Sequence, residues 1–215
     1  MSFTYSSLKT AIQNYLDNSE TTFVDTLDTF IKNAEEDIIK NVEMLGWRNN
    51  VTGTATTGSA YLGMPSDYLS PYSLAVISSN VHYYLQLKHV TFIRDYTPAA
   101  ATTGRPKYYG QFDQDTFILA PTPDATYTFE LHYLSRPSSL TAQGDSGTTY
   151  ISVEASDTLL YGCLTEAARF MKLDQSEIGM LENEYMQRLA RLKNWSEGKQ
   201  SREETRYDRL RNPIN

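Results

Sequence analysis

Residues 127–133, Tyr-Thr-Phe-Glu-Leu-His-Tyr, decide the fold class of this chain. Aromatic rings and a leucine alternate there with polar side chains, and an alternation of period two is typical of a half-buried β-strand. Residues 81–87 (VHYYLQL) repeat the alternation, and residues 107–112 and 116–120 have the pattern of a hairpin around Asp113-Gln114-Asp115. The sequence therefore predicts an antiparallel sheet in the middle of the chain.

The predicted sheet region extends over residues 47–137. Seven of the eight prolines lie between Pro65 and Pro137, and they exclude long helices from this stretch. Ten of the 16 tyrosines fall in the same stretch. A short helical turn is expected near His89 to Tyr96. We expect about five to seven strands, arranged as a small sandwich or barrel.

Helical spacing of apolar residues replaces the alternation on both sides of the sheet. Residues 1–46 indicate two helices, and Thr22 with Asp25 resembles a capping box at the start of the second. Residues 138–195 indicate a Ser/Gly/Thr-rich loop and a second helix pair, with Ser156-Asp157 as the expected cap. Each predicted helix has an apolar stripe, a row of apolar side chains along one face. In chain order, the four stripes begin with the following residues: Tyr5, Leu8 and Ile12; Phe23, Leu27 and Phe30; Leu160, Cys163 and Leu164; and Ile178, Leu181 and Tyr185.

These elements predict an α+β fold, in which the N-terminal and C-terminal helix pairs form one helical bundle and an antiparallel β-domain is inserted between them. The predicted parts are residues 1–46, 47–137, 138–195 and a charged tail, 196–215. Nine of the 20 tail residues are charged, so the tail cannot bury enough apolar surface to fold alone. We expect it to become ordered by docking on a neighbouring molecule.

Composition excludes several functional classes. The chain has 19 Lys and Arg against 26 Asp and Glu, and a net charge of −7 argues against gripping nucleic acid by phosphate neutralisation. A single cysteine excludes an intrachain disulfide and a cysteine-cluster metal site. No run of about 18 apolar residues predicts a membrane span. The first ten residues lack a basic region followed by an apolar core, so no secretory signal is expected.

The histidines give a weak signal for chemistry. His82 and His132 occupy the polar face of their predicted strands, where they could approach a shared site with Glu130. Half-exposed strand residues explain the same pattern with no chemistry. The chain contains no phosphate-binding loop, no dinucleotide-binding glycine motif and no zinc-protease or serine-hydrolase motif.

Three other groups of reactive residues have structural explanations. Cys163 lies on an apolar helix stripe and is expected to be a small core residue. Asp113 and Asp115 flank a predicted hairpin turn, where aspartate is favoured. Glu35-Glu36-Asp37 are consecutive on a helix and point in different directions, as on a solvated face. We expect no catalytic residue, no cofactor and no metal site.

The tyrosine pairs favour a protein interface. Tyr83-Tyr84 and Tyr108-Tyr109 each place one ring on either face of the sheet, so one ring of each pair is expected in the core and the other outside. Outward tyrosines are favourable interface residues. Stacking on nucleic acid requires a positive groove, whereas residues 47–137 hold six basic and six acidic residues. Tyr84 and Tyr109 are therefore candidate contacts with a protein partner.

Several segments, taken in order, resemble the head-to-tail adaptor proteins of short-tailed phages, of the tail tubular protein A type. The resemblance covers roughly residues 5–195. It is carried by residues 47–50 (WRNN), 62–69 (LGMPSDYL), 73–76 (SLAV), 104–124 from Gly-Arg-Pro-Lys-Tyr-Tyr to Ala-Pro-Thr-Pro-Asp, 130–133 (ELHY) with 136–140 (RPSSL), and 159–167 (LLYGCLTEA).

The resemblance implies a structural virion protein at the head–tail junction, made in the host cytoplasm and without catalytic activity. It implies a homo-oligomeric ring of about twelve copies beneath the portal protein. The ring would extend the DNA channel, let DNA pass without specific binding, and offer a docking face to the tail nozzle protein. Residues 1–46 hold three basic and eight acidic residues, and part of this stretch or the acidic third helix is expected to face the channel.

The expected partner contacts include the tail, which would reach a neighbouring subunit or the portal through Arg202, Arg206, Tyr207, Arg209 and Leu210. Two rival classes remain open at this point. One is a carbohydrate-binding β-module that uses Tyr84 or Tyr109 as a platform. The other is an enzyme that uses Glu130, His132 and Asp115.

Overall fold

The computed structural model describes residues 2–99 and 101–207, with side chains described through residue 199. The chain divides into two compact units. The helical unit combines Met1–Gly46 with Pro137–Asn215, and the β-unit is Trp47–Arg136. A helical unit built from both ends, with a β-unit inserted between them, confirms the predicted α+β fold class.

The described residues form six α-helices and eight β-strands. The helices are α1 (Tyr5–Leu16), α2 (Thr21–Asn41), α3 (Val90–Tyr96), α4 (Tyr150–Glu154), α5 (Ser156–Met171) and α6 (Gln175–Tyr207). The strands are β1 (Arg48–Ala55), β2 (Tyr61–Gly63), β3 (Tyr68–Ser78), β4 (Val81–Tyr84), β5 (Gln86–Leu87), β6 (Tyr108–Gln111), β7 (Thr116–Ala120) and β8 (Tyr127–Ser135). Helix α3 belongs to the β-unit, and the other helices form the helical unit.

Helix α5 is the centre of the helical unit, since it contacts α1, α2, α4 and α6. Most residues of the predicted apolar stripes are buried in these helices. Burying an aliphatic side chain stabilises a fold by about 1.5–3 kcal/mol. The fully or nearly fully buried side chains include Leu8, Ile12, Phe23, Leu27, Ile31, Ile38, Leu159, Cys163, Leu164 and Ala167.

The helix starts differ from two expectations. Helix α2 begins at Thr21 with Glu20 as a cap that makes no side-chain hydrogen bond, so the capping box expected at Thr22 and Asp25 is wrong. Helix α5 also has no side-chain cap at its start. The short helix α4 ends at Glu154, just before α5 begins, and the cap lies at the start of α4, where Thr149 and Ser152 form a capping box.

The β-unit is a sandwich of two four-stranded sheets. Sheet 1 has the order β1-β8-β3-β4, and sheet 2 has the order β2-β7-β6-β5. All described pairs of strands are antiparallel except β5 with β6, which is parallel. One core cluster takes side chains from both sheets, including Leu74, Phe129 and Leu131 from sheet 1 and Leu62, Phe117 and Leu119 from sheet 2.

Strand β8 is the stretch from which the fold was predicted. Phe129, Leu131 and Tyr133 are buried in the core, whereas Glu130 and His132 are only half-buried on the other face. Strand β8 pairs with β1 over its length and with β3 on its other side, so it lies inside sheet 1. The hairpin β6–β7 and the short helix α3 are also found where they were predicted.

The described strands number eight, against an expectation of about five to seven. The difference comes partly from residues 81–87, which were predicted as one strand. The chain changes sheets at Leu85, whose backbone N–H donates to the carbonyl of Leu74. Strand β4 therefore belongs to sheet 1 and β5 to sheet 2.

Helix α6 runs through the boundary expected at residue 196. It buries Tyr185, Leu189 and Leu192 against the helical unit, and Ser196 is also buried. Residues 196–207 continue the same helix, while residues 208–215 lie outside the described residues. That the tail docks on a partner stays a prediction.

Candidate interaction surfaces

The predicted interface residues are distributed over several parts of the chain. Tyr84 ends β4 and is 70% exposed. Arg202, Arg206 and Tyr207 lie in the last turns of α6. Arg209 and Leu210 lie outside the described residues.

Tyr109 requires a correction, because it is only 3% exposed. Its ring packs edge-on against Phe117, with 5.4 Å between ring centroids, and burial raises the pKa of its phenol. The alternation along β6 turns Tyr109 into the sandwich core and leaves Tyr108 half-buried on the other face. Tyr109 therefore offers no ring to a partner at the surface.

The outer face of sheet 1 carries a hydrogen-bonded polar cluster. The Glu130 carboxylate accepts a hydrogen bond from Asn50 Nδ2 at 2.7 Å and lies 3.0 Å from His82 Nε2. The three residues come from β1, β8 and β4, which sheet 1 places on one face. His82 and Glu130 thus meet as the sequence suggested.

His132 does not join this cluster. Its ring lies 5.3 Å from that of Tyr72, and the guanidinium of Arg48 lies 4.7 Å from the centre of the Tyr72 ring. Asp115 lies in the turn between β6 and β7, in sheet 2, where its backbone N–H donates to Asp113 Oδ1 at 2.9 Å. Glu130, His132 and Asp115, the three residues of the enzyme hypothesis, therefore each contact different neighbours.

The other reactive residues also have structural partners. Burial raises the pKa of the Cys163 thiol well above its usual value, and the side chain is completely buried. Among residues 2–99 and 101–207, no group of three His, Cys, Asp or Glu side chains is placed to hold a metal ion. The three acidic residues at 35–37 do diverge as expected, since Glu36 pairs with Lys40 and Asp37 accepts a hydrogen bond from Tyr185.

Glu35 differs from the solvated residue that was expected, because it is only 3% exposed. Its two carboxylate oxygens accept hydrogen bonds from the Ser139 hydroxyl at 2.6 Å and from the Leu140 backbone N–H at 2.9 Å. Burial raises its pKa, and these hydrogen bonds oppose the shift. The contact fastens the start of the 138–149 loop to α2.

Helix α3 carries an aromatic surface that the sequence analysis missed. We call it the α3 patch and define it by Tyr61, Lys88, Phe92, Arg94, Tyr96, Tyr108 and Phe112. Phe92, Tyr96 and Tyr108 form a three-ring cluster, and Lys88 Nζ lies 5.6 Å from the centre of the Phe92 ring. Arg94 donates to the Tyr61 hydroxyl at 3.1 Å and lies over Phe112.

Four rings of the α3 patch are about 40% exposed, namely Tyr61, Phe92, Tyr96 and Phe112. Exposed aromatic rings combined with arginine are characteristic of protein interfaces. Only the spacing of Phe92 and Tyr96 on α3 could have signalled the patch, since Tyr61 and Phe112 come from β2 and from the residue after β6. The β-unit thus has a second candidate contact surface besides Tyr84.

The helical unit presents an acidic groove of about 700 Å3. Helices α2, α5 and α6 line it, with four carboxylates from Glu36, Asp37, Glu166 and Glu182 and two cations from Lys40 and Arg169. Arg169 pairs with Glu166 at 2.7 Å and with Glu182 at 2.8 Å. Because the β-unit has balanced charges, the whole net charge of −7 belongs to the helical unit.

The exposed rings of the β-unit and the charged groove of the helical unit are candidate contact surfaces for other macromolecules. A family model described as SU10 adaptor protein matches residues 3–213. The chain therefore belongs to the SU10 adaptor protein family, and its role is that of a phage head–tail adaptor. No curated protein matches the chain. Among the described helices, none has the length and apolar character needed to cross a membrane.

Proposed function

We propose that this adaptor forms a ring of about twelve copies beneath the portal protein of a short-tailed phage. The ring extends the DNA channel and gives the tail nozzle protein its docking face. The observation that carries the proposal is the family match, which spans both the helical unit and the β-unit. The resemblance to adaptors of the tail tubular protein A type supports the finer assignment.

The separate surfaces of the molecule support a place in a ring. A subunit of a closed ring needs two different flanks and two axial faces, because its neighbours contact it head to tail. The β-unit offers the α3 patch and exposed Tyr84, and the helical unit offers the acidic groove. We assign the exposed rings to contacts between proteins.

The distribution of charge supports passage of DNA without binding. DNA binds tightly where many phosphates are neutralised, and acidic surfaces repel it. Residues 1–46 contain three basic and eight acidic residues. We propose that part of this segment, or the acidic groove, faces the channel, so that phosphates slide past without adhering.

The ring proposal is tested by mixing the purified adaptor with the portal protein of its own phage. Native mass spectrometry and electron microscopy should show a stoichiometric adaptor ring on the portal. A free adaptor that stays monomeric is compatible with the proposal, since the portal can act as the template. A portal that remains without adaptor under conditions that preserve both folds would contradict it.

The last turns of α6 give a second test of partner binding. We expect Arg202→Ala combined with Arg206→Ala to weaken assembly with the portal by about three- to tenfold at low salt, since exposed ion pairs contribute up to about 1 kcal/mol each. The matched control is Arg191→Ala with Lys193→Ala, which removes the same charge from exposed positions of the same helix. Equal effects of the two double variants would assign the loss to charge alone.

A carbohydrate-binding role is the second candidate, and it is favoured by one observation. Tyr84 is 70% exposed, and β4 also carries His82 of the polar cluster with Glu130 and Asn50. An exposed ring beside polar groups is suited to stacking on a sugar. Tyrosine fluorescence that responds to sugars in the original chain and not in Tyr84→Ala would support this alternative.

A further inference from the structure

Strand β1 is a long free edge of sheet 1. It has eight residues, and within the described strands its only partner is β8. The other edge strands, β4, β2 and β5, have four, three and two residues. Edges are ordinarily protected by shortness, lysine, proline or bulges. Strand β1 has no proline or lysine, and its register with β8 is continuous from Arg48 to Ala55.

An apolar cleft of about 230 Å3 lies beside this edge, between the two sheets. Residues 51–53 of β1 and 62–65 at β2 form its rim, and its floor consists of Leu74, Phe117, Phe129 and Leu131. A Cβ atom added at Gly53 or at Gly63 would meet no heavy atom within 4 Å. The sandwich is therefore open along the same side on which β1 lacks a neighbouring strand.

The odd-numbered residues of β1 face the inside of the sandwich. Ala55 is buried, Val51 and Gly53 line the cleft, and Asn49 donates to the Tyr133 hydroxyl at 3.2 Å. Asn50 points to the outer face, where it donates to Glu130. A strand added beside β1 would bond to its main chain, and every second side chain of that strand would enter the cleft.

The C-terminal segment 208–215 (DRLRNPIN) has the pattern of such a strand. It follows Tyr207, the last described residue of α6, and it is long enough to pair with several residues of β1. Leu210 and Ile214 have the same parity, so both would face the cleft of an added strand. Arg209 and Arg211 would face the outer side of sheet 1, on which the Glu130 carboxylate lies.

We infer that the C-terminal segment 208–215 of one copy pairs with β1 of the next copy and places Leu210 and Ile214 in its cleft. The inference rests on the proposed ring and deepens it. The contact is head to tail, so each subunit donates one segment and receives one, and ring closure leaves no β1 edge free. The partner class is thus a second copy of this chain.

A binding assay tests the inference without the portal. The receptor is the full chain with Leu210→Asp and Ile214→Asp, so that its own segment does not fill the cleft, and the probe is a fluorescent peptide of residues 208–215 followed by anisotropy. We expect saturable binding that is about tenfold weaker or more for a peptide with Leu210→Asp, since losing one buried aliphatic side chain changes affinity by about that factor. Absence of binding at millimolar peptide, or equal binding of both peptides, overturns the inference.

Matched variants of the receptor identify the place of binding. Gly53→Val fills the cleft from the inner face of β1, while Thr54→Val places a valine on the outer face of the same strand without adding volume. Gly53→Val should weaken peptide binding by about tenfold or more and Thr54→Val should leave it unchanged. Gly63→Val fills the same cleft from β2 and replaces Gly53→Val if that variant does not fold. Equal binding by the cleft-filling variant and by Thr54→Val overturns the inference.

Cross-linking in the assembled particle separates this inference from the ring itself. The full chain with Thr54→Cys and Arg211→Cys, two positions on the outer side of the proposed contact, is assembled on the portal and treated with a short bismaleimide, while buried Cys163 is protected from the reagent. Ladders of linked adaptor chains support the inference. Linkage within one chain, or from the tail to the portal, overturns it and leaves the ring intact. A portal without any ring contradicts the proposed function, and the peptide assay still decides the inference.

Discussion

Glu35 shows how one carboxylate can fasten a loop to a helix. Ser139 and the Leu140 backbone N–H both donate to it, and Leu140 itself is completely buried. A buried backbone N–H without an acceptor costs about 1–3 kcal/mol. Removing the Glu35 carboxylate would leave the Leu140 N–H buried without an acceptor. The same burial raises the pKa of Glu35 above its usual value.

The first prediction is that Glu35→Ala destabilises the protein by about 1–3 kcal/mol at neutral pH, because Leu140 loses its acceptor. Glu35→Gln keeps an acceptor oxygen and cannot ionise. A raised pKa in the folded state means that Glu35 contributes full stability below its unfolded pKa, and the contribution is lost as pH rises through the folded pKa. Urea unfolding of the three proteins between pH 4 and pH 8 measures both effects.

We therefore expect the stability of Glu35→Gln relative to the original chain to increase as pH rises. Glu36→Gln is a matched control, since that residue lies next in α2 and its carboxylate is partly exposed in a pair with Lys40. A difference between Glu35→Gln and the original chain that stays constant with pH would show that Glu35 does not titrate as its burial requires.

Sequence patterns predicted some of these side chains and missed others for a definite reason. Tyr84 and Tyr109 were both candidate contacts, and only Tyr84 is exposed. Alternation states that two neighbouring residues face opposite ways without stating which one faces the core. Glu35 could have been found, since it follows Ile31 by four residues on the apolar stripe of α2. Its buried position was overlooked because the run Glu35-Glu36-Asp37 suggests a solvated acidic face.

At the scale of elements, the spacing of three helices depends on one glycine. A Cβ atom on Gly162 of α5 would lie 3.0 Å from the Cβ of Ala34 in α2 and 3.1 Å from the ring of Tyr185 in α6. Neither neighbour is the free end of a flexible chain, because Ala34 has no further atoms and Tyr185 is held by its hydrogen bond to Asp37. Helices α2 and α6 therefore approach α5 closely at this position.

The second prediction is that Gly162→Val destabilises the helical unit by about 1–3 kcal/mol, since it overpacks a closed contact. Gly179→Ala is the control. A Cβ atom at Gly179 in α6 meets no heavy atom within 4 Å, so the alanine should stabilise the helix by about 0.5–1 kcal/mol. Thermal unfolding followed by circular dichroism measures both changes. Stabilisation by both variants would show that the three helices are less closely packed than described.

The helices and strands themselves were largely predictable from the sequence, whereas their neighbours in the fold were less so. Alternation identified β8 and the β6–β7 hairpin, because one face of each strand is buried. Alternation could not show that the chain passes from sheet 1 to sheet 2 at Leu85, because apolar and polar residues alternate in the same way in β4 and in β5. The α3 patch was missed because Tyr61, Phe92 and Phe112 come together only through sheet 2 and α3, and no local period joins them.

For the whole molecule, the separation of charge between the two units is the dominant electrostatic feature. Residues 47–136 hold six basic and six acidic residues, so the entire net charge of −7 lies in the helical unit. Repulsion among like charges destabilises a compact state, and salt screens it. The two units should therefore respond differently to ionic strength.

The third prediction concerns this difference. Raising NaCl from 0.1 M to 1 M shortens the screening length from about 10 Å to about 3 Å. We expect amide protons of the helical unit to exchange more slowly at high salt, with a gain in protection on the order of 1 kcal/mol. The β-unit serves as the internal control in hydrogen exchange followed by mass spectrometry. A larger gain in the β-unit would contradict the electrostatic explanation.

The chain enters the sandwich through β1 and leaves it through β8. These two strands pair with each other, and Arg48 at the start of β1 lies opposite Leu134 near the end of β8. The Ser135 hydroxyl also donates to the carbonyl of Trp47 at 2.7 Å, so the two ends of the insert are neighbours. Because the two ends of the inserted β-unit are neighbours, the helical unit needs to bridge only a short distance at the point of insertion. Recombination between phages could therefore exchange the whole sandwich as a cassette, changing what the adaptor contacts while the buried helix faces keep their sequence.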